Sequence, residues 1–141
     1  MSSSFEFLTN ANAPPAPGLP LASVTAGFPS PADDFIEHQL DLNAHLVHNP
    51  AATFFARVRG NSMIDAGIHE GDLLIIDRSQ GWKEGGIAVC NLNGEFTVKF
   101  LRRRARLWFL EGANRDMPPI ALREGDELSV WGVVTHIIHR V

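Results

Sequence analysis

Two side chains, a serine and a lysine, are the strongest candidates for catalysis in this sequence. Ser62 follows Gly60 at the end of a strand-like run, where a turn can direct the hydroxyl out of a scaffold that fixes its backbone. Lys99, one of only two lysines, lies inside the strand-forming run Glu95–Leu101. A serine hydroxyl needs a base, and lysine serves as one when burial disfavours its ammonium form. The pair therefore indicates nucleophilic hydrolysis.

The pairing by itself leaves a second interpretation of the lysine open. Strict alternation along a strand places Lys99 on the face opposite Val98 and Phe100, as is typical of an ordinary surface lysine. A catalytic lysine needs apolar surroundings that lower its pKa toward neutrality. The residues expected to supply them are the sequence neighbours of both side chains, namely Val98, Phe100, Leu101, Met63 and Ile64.

Histidine spacing does not predict a metal site. His69 is followed by Glu70 and Gly71 rather than by the remainder of a zinc-binding helix. His136 and His139 are three apart in a strand-like run, so they should face opposite sides. No glycine-rich phosphate loop and no Gly-x-Ser-x-Gly turn appears, while a Ser-His-Asp triad is not excluded by spacing. We expect no metal and no cofactor.

Charge and cysteine usage narrow the class of protein further. The net charge is −4, and five acidic residues but no Lys or Arg precede Arg57. The lack of basic residues argues against a signal peptide. No apolar run is long enough to span a membrane, so we expect no membrane anchor either. Cys90 is the only cysteine and lies in an apolar run, so we expect a buried structural thiol in a reducing cytoplasm. The basic cluster Arg102–Arg104 is interpreted as a solvated turn, with an acidic or nucleic-acid partner as the alternative.

The N-terminal part of the chain is predicted to be an extended arm, residues 1–29. Six of the nine prolines lie within the first 31 residues, among small and polar residues. Phe5 and Phe7 could add a short strand, and a second apolar patch spans Leu19–Val24. The following segment, Thr25–Phe28, consists of small residues flanked by prolines, and it suits either a linker or a protease-accessible bond.

A short helical segment is predicted to connect the arm to the remaining chain. Ser30 is a suitable N-cap followed by proline and two acids, and the apolar residues up to Leu40 share one helical face. Asp41 offers a break and a new cap, after which Ala44–His48 forms one more turn before Pro50. We place the domain boundary at residue 30, with the domain covering residues 30–141.

From residue 53 onward the pattern predicts strands separated by turn residues. The predicted strands are Thr53–Val58, Leu73–Asp77, Ile87–Leu92, Glu95–Leu101, Arg106–Leu110 and Glu127–Ile138. Asn93-Gly94 is a strong hairpin signal because both residues tolerate positive φ. Many short strands with close turns predict a mostly β fold, a partly closed antiparallel β body.

Four motifs in order resemble the self-cleaving LexA/UmuD family. They are Gly60–Met63, Glu70–Asp77, Asn93–Lys99 and Gly132–Val134, and the serine and lysine are 37 positions apart. The resemblance covers about residues 22–141 and is nearest to UmuD. It implies the β body of the LexA/UmuD C-terminal, signal-peptidase-like type. The arm is too short and too poor in basic residues for the helix-turn-helix domain of LexA-type repressors, so no sequence-specific DNA binding is expected.

This resemblance implies a Ser-Lys dyad acting on the chain itself. Ser62 would attack the carbonyl of Ala26 in the bond Ala26-Gly27, and Lys99 would move the proton. The implied biology is that of an SOS mutagenesis protein: a cytoplasmic homodimer that cleaves itself when stimulated by the RecA–single-stranded DNA filament. The product would be the accessory subunit of a UmuC-like, error-prone translesion DNA polymerase. Arm length permits cleavage within one chain or between dimer mates.

Two other classes stay open from the residues alone. A signal-peptidase-like processing enzyme would share the Ser-Lys chemistry, although no membrane anchor is expected. A non-catalytic regulatory binding module would leave Ser62 inert. Self-cleavage of the purified protein distinguishes these classes.

Overall fold

The architecture was determined from a computed structural model, which describes residues 4–10, 19–22 and 36–141, with side chains described from residue 40 onward. Ten strands are present in these ranges. They are β1 (Ser4–Asn10), β2 (Leu19–Ala22), β3 (Ile36–Leu40), β4 (Thr53–Arg59), β5 (Leu73–Asp77), β6 (Ile87–Leu92), β7 (Glu95–Arg104), β8 (Leu107–Glu111), β9 (Ile120–Ala121) and β10 (Leu128–Ile138). One helix, α1 (Leu42–Leu46), and two 3₁₀ turns, Pro50–Ala52 and Ile64–Ala66, complete the described elements.

Eight of the strands form one antiparallel sheet in the order β1-β4-β5-β10-β6-β7-β8-β9. β1 also approaches β7, so the sheet curls toward closure. The remaining two strands, β2 and β3, pair with each other. The prediction of a mostly β, partly closed antiparallel body is confirmed. None of the helices in the described ranges has the length and apolar character needed to cross a membrane.

The hairpin between β6 and β7 positions the lysine strand as predicted. Asn93 and Gly94 have φ of 52° and 90°, which is the geometry of a tight hairpin turn that favours these two residue types. The register that follows places Ala88 opposite Lys99 and Val89 opposite Val98. Because alternate residues face opposite sides, β7 has one face with Lys99 and another with Val98.

Apolar residues cover both faces of the central strands. One cluster contains Ala56, Val58, Met63, Ile68, Leu74, Ile76, Val89 and Val98. The other contains Ala88, Cys90, Leu101 and Leu110. Burial on both faces explains why β5 reads as a continuous apolar run rather than as an alternating one. The buried state of Cys90 confirms its interpretation as a structural thiol.

The predicted helix before residue 41 is wrong where the structure describes it. Residues Ile36–Leu40 form β3, whose backbone pairs antiparallel with β2. An isolated helix of this length has little stability in water, and pairing with a second strand satisfies its backbone groups instead. Residues 30–35 lie outside the described part. The predicted cap at Asp41 is confirmed, since its carboxylate accepts hydrogen bonds from the N–H groups of Asn43 (3.0 Å) and Ala44 (3.4 Å).

Candidate active site

The serine lies on a tight loop between β4 and a 3₁₀ turn. Gly60, with φ of 90°, ends the strand, and Gly67, with φ of 82°, ends the 3₁₀ turn Ile64–Ala66. These positive φ values favour glycine, so both bends depend on having glycine at these positions. Met63 anchors the loop in the core, where it is 1% exposed. The loop therefore has little freedom to move the serine.

The structure corrects one property expected of Ser62, its exposure. The expectation was a hydroxyl on an exposed turn, yet the residue is 0% exposed. The segment after β8, residues 112–115, packs over the loop and contributes to this burial. Ile64, expected beside the serine in an apolar environment, is instead 40% exposed.

Three hydrogen bonds fasten the serine loop to this covering segment. The N–H of Asp65 donates to the carbonyl of Ala113 at 2.6 Å, and the N–H of Arg115 donates to the Asp65 carboxylate at 3.1 Å. The side-chain amide of Asn114 donates to the carbonyl of Asn61 at 3.0 Å. The bonds lie on both sides of the serine, so the segment and the loop hold each other in place.

Lys99 is a buried lysine in the middle of β7. It is 3% exposed, and among the described residues it forms no salt bridge. Burial lowers the pKa of its amine from the ordinary value of 10.5, because desolvation penalises the charged form. Its neighbours agree only in part with those expected. Ala88 lies opposite it, and Leu101 is on its own face, whereas Val98 packs on the other face of the strand with Met63.

Gly112 brings the serine loop and the lysine together. A Cβ added to this glycine would lie 2.8 Å from the carbonyl oxygen of Ser62 and 3.4 Å from Nζ of Lys99. Both groups therefore contact the bare backbone of residue 112, with no space for a side chain. Nothing local in the sequence marks Gly112, because its importance comes from two contacts with residues far along the chain.

The other predicted site residues have different locations. Ala26 and Gly27, the expected cleavage site, lie outside the described residues. The arginine cluster Arg102–Arg104 forms the last residues of β7, where Arg102 pairs with Glu111 at 3.0 Å and Arg103 stacks on the ring of Trp108 at 5.4 Å. The exposure of Arg103 agrees with the predicted solvation, but the predicted turn is wrong, because these arginines pair with β8 as strand residues.

One group of side chains in the described region has the chemistry to hold a metal ion. It consists of His69, Asp72 and His139, which lie near the start of β5 and the end of β10. The spacing of the histidines along the sequence predicted no metal site. The group forms only through the pairing of β5 with β10, which spacing does not reveal.

Comparison with known proteins gives several matches over most of the chain. The Peptidase S24-like family profile matches residues 19–135. Protein ImpA of Salmonella typhimurium is 47% identical over 115 residues, which cover 82% of this chain and 78% of ImpA. Protein MucA of Escherichia coli is 43% identical over 117 residues, covering 82% of this chain and 80% of MucA. The LexA repressor of Shewanella woodyi is 34% identical over 123 residues, covering 86% of this chain and 60% of the repressor.

The matched region contains both the serine loop and the lysine strand. It also contains the segment with Gly112 that packs between them. The resemblance drawn from the four sequence motifs is therefore confirmed. The chain belongs to the Peptidase S24-like family, the LexA/UmuD family of serine peptidases, in which its relatives ImpA and MucA are UmuD-like.

Proposed function

We propose that the protein is a self-cleaving serine endopeptidase that uses Ser62 and Lys99 to cut its own Ala26-Gly27 bond. The observation that carries the proposal is the position of a buried lysine, without a described acidic partner, against the same glycine as the serine loop. A lysine paired with an acid would keep its proton. Burial without such a partner lowers the pKa, so that the neutral amine forms more readily. Membership of a serine peptidase family supports the same chemistry.

The reaction follows from the two side chains. Neutral Lys99 takes the proton of the Ser62 hydroxyl while the serine oxygen bonds to the Ala26 carbonyl carbon. Collapse of the tetrahedral species breaks the bond to the Gly27 nitrogen, and the lysine ammonium returns the proton to that amine. Water then attacks the acyl-serine and gives a proton to the neutral lysine. The lysine ammonium returns this proton to the departing Ser62 oxygen, and the Ala26 carboxyl group is released and ionises. A backbone N–H of the serine loop, that of Ser62 itself, stabilises the oxyanion.

Small residues at the cleaved bond suit this mechanism. Ala26 fits a narrow pocket, and Gly27 lets the substrate backbone come close to the serine. In this mechanism the substrate reaches Ser62 as an extended strand. A chain tethered to the enzyme supplies such a strand at high local concentration.

The biological setting of the proposal is the SOS response to DNA damage. The resemblance to UmuD and the similarity to ImpA and MucA support a role in SOS mutagenesis. In this setting the protein is a cytoplasmic homodimer whose cleavage is stimulated by the RecA–single-stranded DNA filament. The cleaved form then serves as accessory subunit of a UmuC-like translesion polymerase.

Incubation of the purified chain at alkaline pH tests the catalytic proposal. Intact-mass spectrometry should show a growing fragment that begins at Gly27, since deprotonation of Lys99 activates the serine. Ser62→Ala should stay intact, whereas the control Ser129→Ala, at an exposed serine on β10, should be cleaved like the unmodified chain. If the unmodified chain and Ser62→Ala stay equally intact with and without RecA filaments, the protein is a non-catalytic binding module instead.

A further inference from the structure

A second candidate site lies where the start of β5 meets the end of β10. Asp72 directly precedes β5, and His139 directly follows β10. The register pairs Ile138 with Leu73, so the next residue of each strand meets its counterpart at the edge of the ladder. His69 reaches the same point from the loop that precedes β5, because its N–H donates to the Asp72 carboxylate at 2.8 Å.

The three side chains converge on one small volume. Nδ1 of His139 lies 2.7 Å from Oδ1 of Asp72, and Nδ1 of His69 lies 3.7 Å from Oδ2. One ligand atom from each residue lies within 4.8 Å of the other two. The imidazole rings are 4.7 Å apart between centroids and inclined by 34°. This arrangement presents two nitrogen donors and one oxygen donor toward a common point.

Burial differs between the donors in a way that suits ion binding. The side chain of Asp72 is 3% exposed, so its carboxylate is held in a fixed orientation. The side chains of His69 and His139 are 45% and 47% exposed, which leaves a path from solvent to the group. The fixed carboxylate is preorganised for binding, and the two exposed imidazoles allow an ion to enter from solvent.

One ring nitrogen in the group is unsatisfied. Nδ1 of His69 is shielded from solvent and has no hydrogen-bond partner in the part of the chain that the structure describes. The Asp72 oxygen at 3.7 Å is beyond hydrogen-bonding distance. A shielded polar atom without a partner is unfavourable, and a bound cation would satisfy it.

We propose that His69, Asp72 and His139 form a binding site for a divalent transition-metal ion of the Zn²⁺ type. Imidazole and carboxylate donors suit such ions, whereas Ca²⁺ and Mg²⁺ prefer all-oxygen sites. Donors at about 2.1 Å from one ion lie at most about 4 Å apart, so the half-exposed rings need to move by only about 1 Å. The ion replaces the hydrogen bond between Nδ1 of His139 and Oδ1 of Asp72, so that both atoms become ligands and any proton on Nδ1 passes to Nε2 or to solvent. Water completes the coordination.

The site is separate from the proposed dyad, although two of its residues, His69 and Asp72, lie on the loop that carries Ser62. The loop that begins at Ser62 ends at Asp72, and the N–H of Ile68 donates to the carbonyl of Met63 inside it. The ion would hold the far end of this loop to the C-terminal strand β10. Its binding is measured without any cleavage, so failure of one proposal leaves the other intact.

Titration of the chelator-treated full-length chain with Co²⁺ tests the proposal. Visible d–d absorption should saturate at one equivalent, and Zn²⁺ should displace the cobalt while a large excess of Ca²⁺ should not. His69→Ala and His139→Ala should each weaken binding roughly tenfold or more, the loss typical of a disrupted metal site. His48→Ala, at an exposed histidine outside the group, should bind as the unmodified chain does.

Thermal unfolding gives an independent readout. Zn²⁺ should raise the melting temperature of the unmodified chain and of His48→Ala, and not that of His139→Ala. No saturable cobalt spectrum, displacement by Ca²⁺, or equal affinity in His48→Ala and the two site variants would each overturn the assignment. Near-ultraviolet circular dichroism checks that every variant is folded.

Discussion

Nζ of Lys99 lies against the backbone of Gly112, at a point where an added Cβ would be only 3.4 Å away. The same Cβ would be 2.8 Å from the carbonyl oxygen of Ser62, a distance that real Cβ contacts do not reach. The absence of a side chain at residue 112 is therefore what lets the serine loop and the lysine strand approach each other. This relationship connects the covering segment directly with the proposed chemistry.

The first prediction concerns Gly112→Ala. The added methyl must displace the Ser62 carbonyl, which is backbone and moves only with the loop. We expect self-cleavage to slow by about 10- to 100-fold, since small misplacements of reacting groups have effects of this size. A stability loss of about 1–3 kcal/mol is expected from overpacking. The time course of fragment release and a denaturation curve measure the two effects.

Gly81→Ala is the matched control for this variant. A Cβ at Gly81 meets no atom within 4 Å, so the same chemical change should alter neither cleavage nor stability appreciably. Cleavage of Gly112→Ala at the rate of the unmodified chain would show that the approach of these two elements has no part in the reaction.

The second prediction is the pH profile of self-cleavage. Burial lowers the pKa of Lys99 below 10.5, and only the neutral amine accepts the serine proton. The rate should therefore rise about tenfold per pH unit below this lowered pKa and become constant above it, at a pH under 10.5. Rates from mass spectrometry across the alkaline range locate the bend.

Arginine at the same position separates basicity from charge. Lys99→Arg keeps the cation but stays protonated throughout this range, so cleavage should be lost at every pH. Lys83→Arg, at the other lysine, which is exposed, should keep the original profile. Cleavage by Lys99→Arg, or a rate that does not vary with pH, would exclude Lys99 as the base.

The third prediction is that Lys99 lowers the stability of the fold near neutral pH. Its pKa is lower in the folded than in the unfolded chain, so between the two values the unfolded chain binds more protons. The free energy of unfolding must then rise with pH between these two pKa values. Below the lower value Lys99 is charged in the folded chain, and the full cost of burying that charge lowers the stability. Lys99→Met removes that cost with a side chain of similar length.

Melting temperatures in a Ser62→Ala background, where the chain cannot cleave itself, measure the effect. Lys99→Met should melt higher at neutral pH, by about 4 °C for each kcal/mol gained, and its stability should rise less with pH. Lys83→Met provides the comparison at an exposed lysine and should change little. A lower melting temperature for Lys99→Met would mean that the amine makes a stabilising interaction greater than its desolvation cost.

Most strands could be predicted because their signals are local. The strands β5 and β6 have the predicted bounds, and the turn at Asn93-Gly94 joins β6 to β7 as expected. β9 has only two residues, too few for any periodic pattern, and was not predicted. Ile36–Leu40 was assigned to a helix because its apolar spacing fits a helical face, while its actual conformation depends on pairing with β2.

The same difference between local and long-range signals applies to the candidate site. Residue type and the turn at Gly60 identify Ser62, and the motifs shared with a known family identify Lys99. The contact of Gly112 with Ser62 and the hydrogen bond from Asn114 to Asn61 connect residues about fifty positions apart. No periodicity or turn chemistry encodes such contacts, so the covering segment and the burial of the serine became evident only in the folded chain.

The last prediction concerns Cys90, which reports on the environment that lowers the lysine pKa. Its thiol is 0% exposed, and burial raises its pKa to about 11. It pairs with Thr97 across β6 and β7 and belongs to the apolar cluster on the lysine's face of the sheet. Because the thiolate is the reactive form, Ellman's reagent should label the folded chain only as fast as that cluster opens.

Labelling of the native and guanidinium-unfolded chain at the same pH tests this. The unfolded chain should release one equivalent of thionitrobenzoate at once, since Cys90 is the only cysteine. The native chain should react many-fold more slowly, and Leu101→Ala, which opens a cavity in the same cluster, should react faster than the unmodified chain. Rapid stoichiometric labelling of the native chain would mean that solvent reaches this face, and the low pKa of Lys99 would then lack its physical cause.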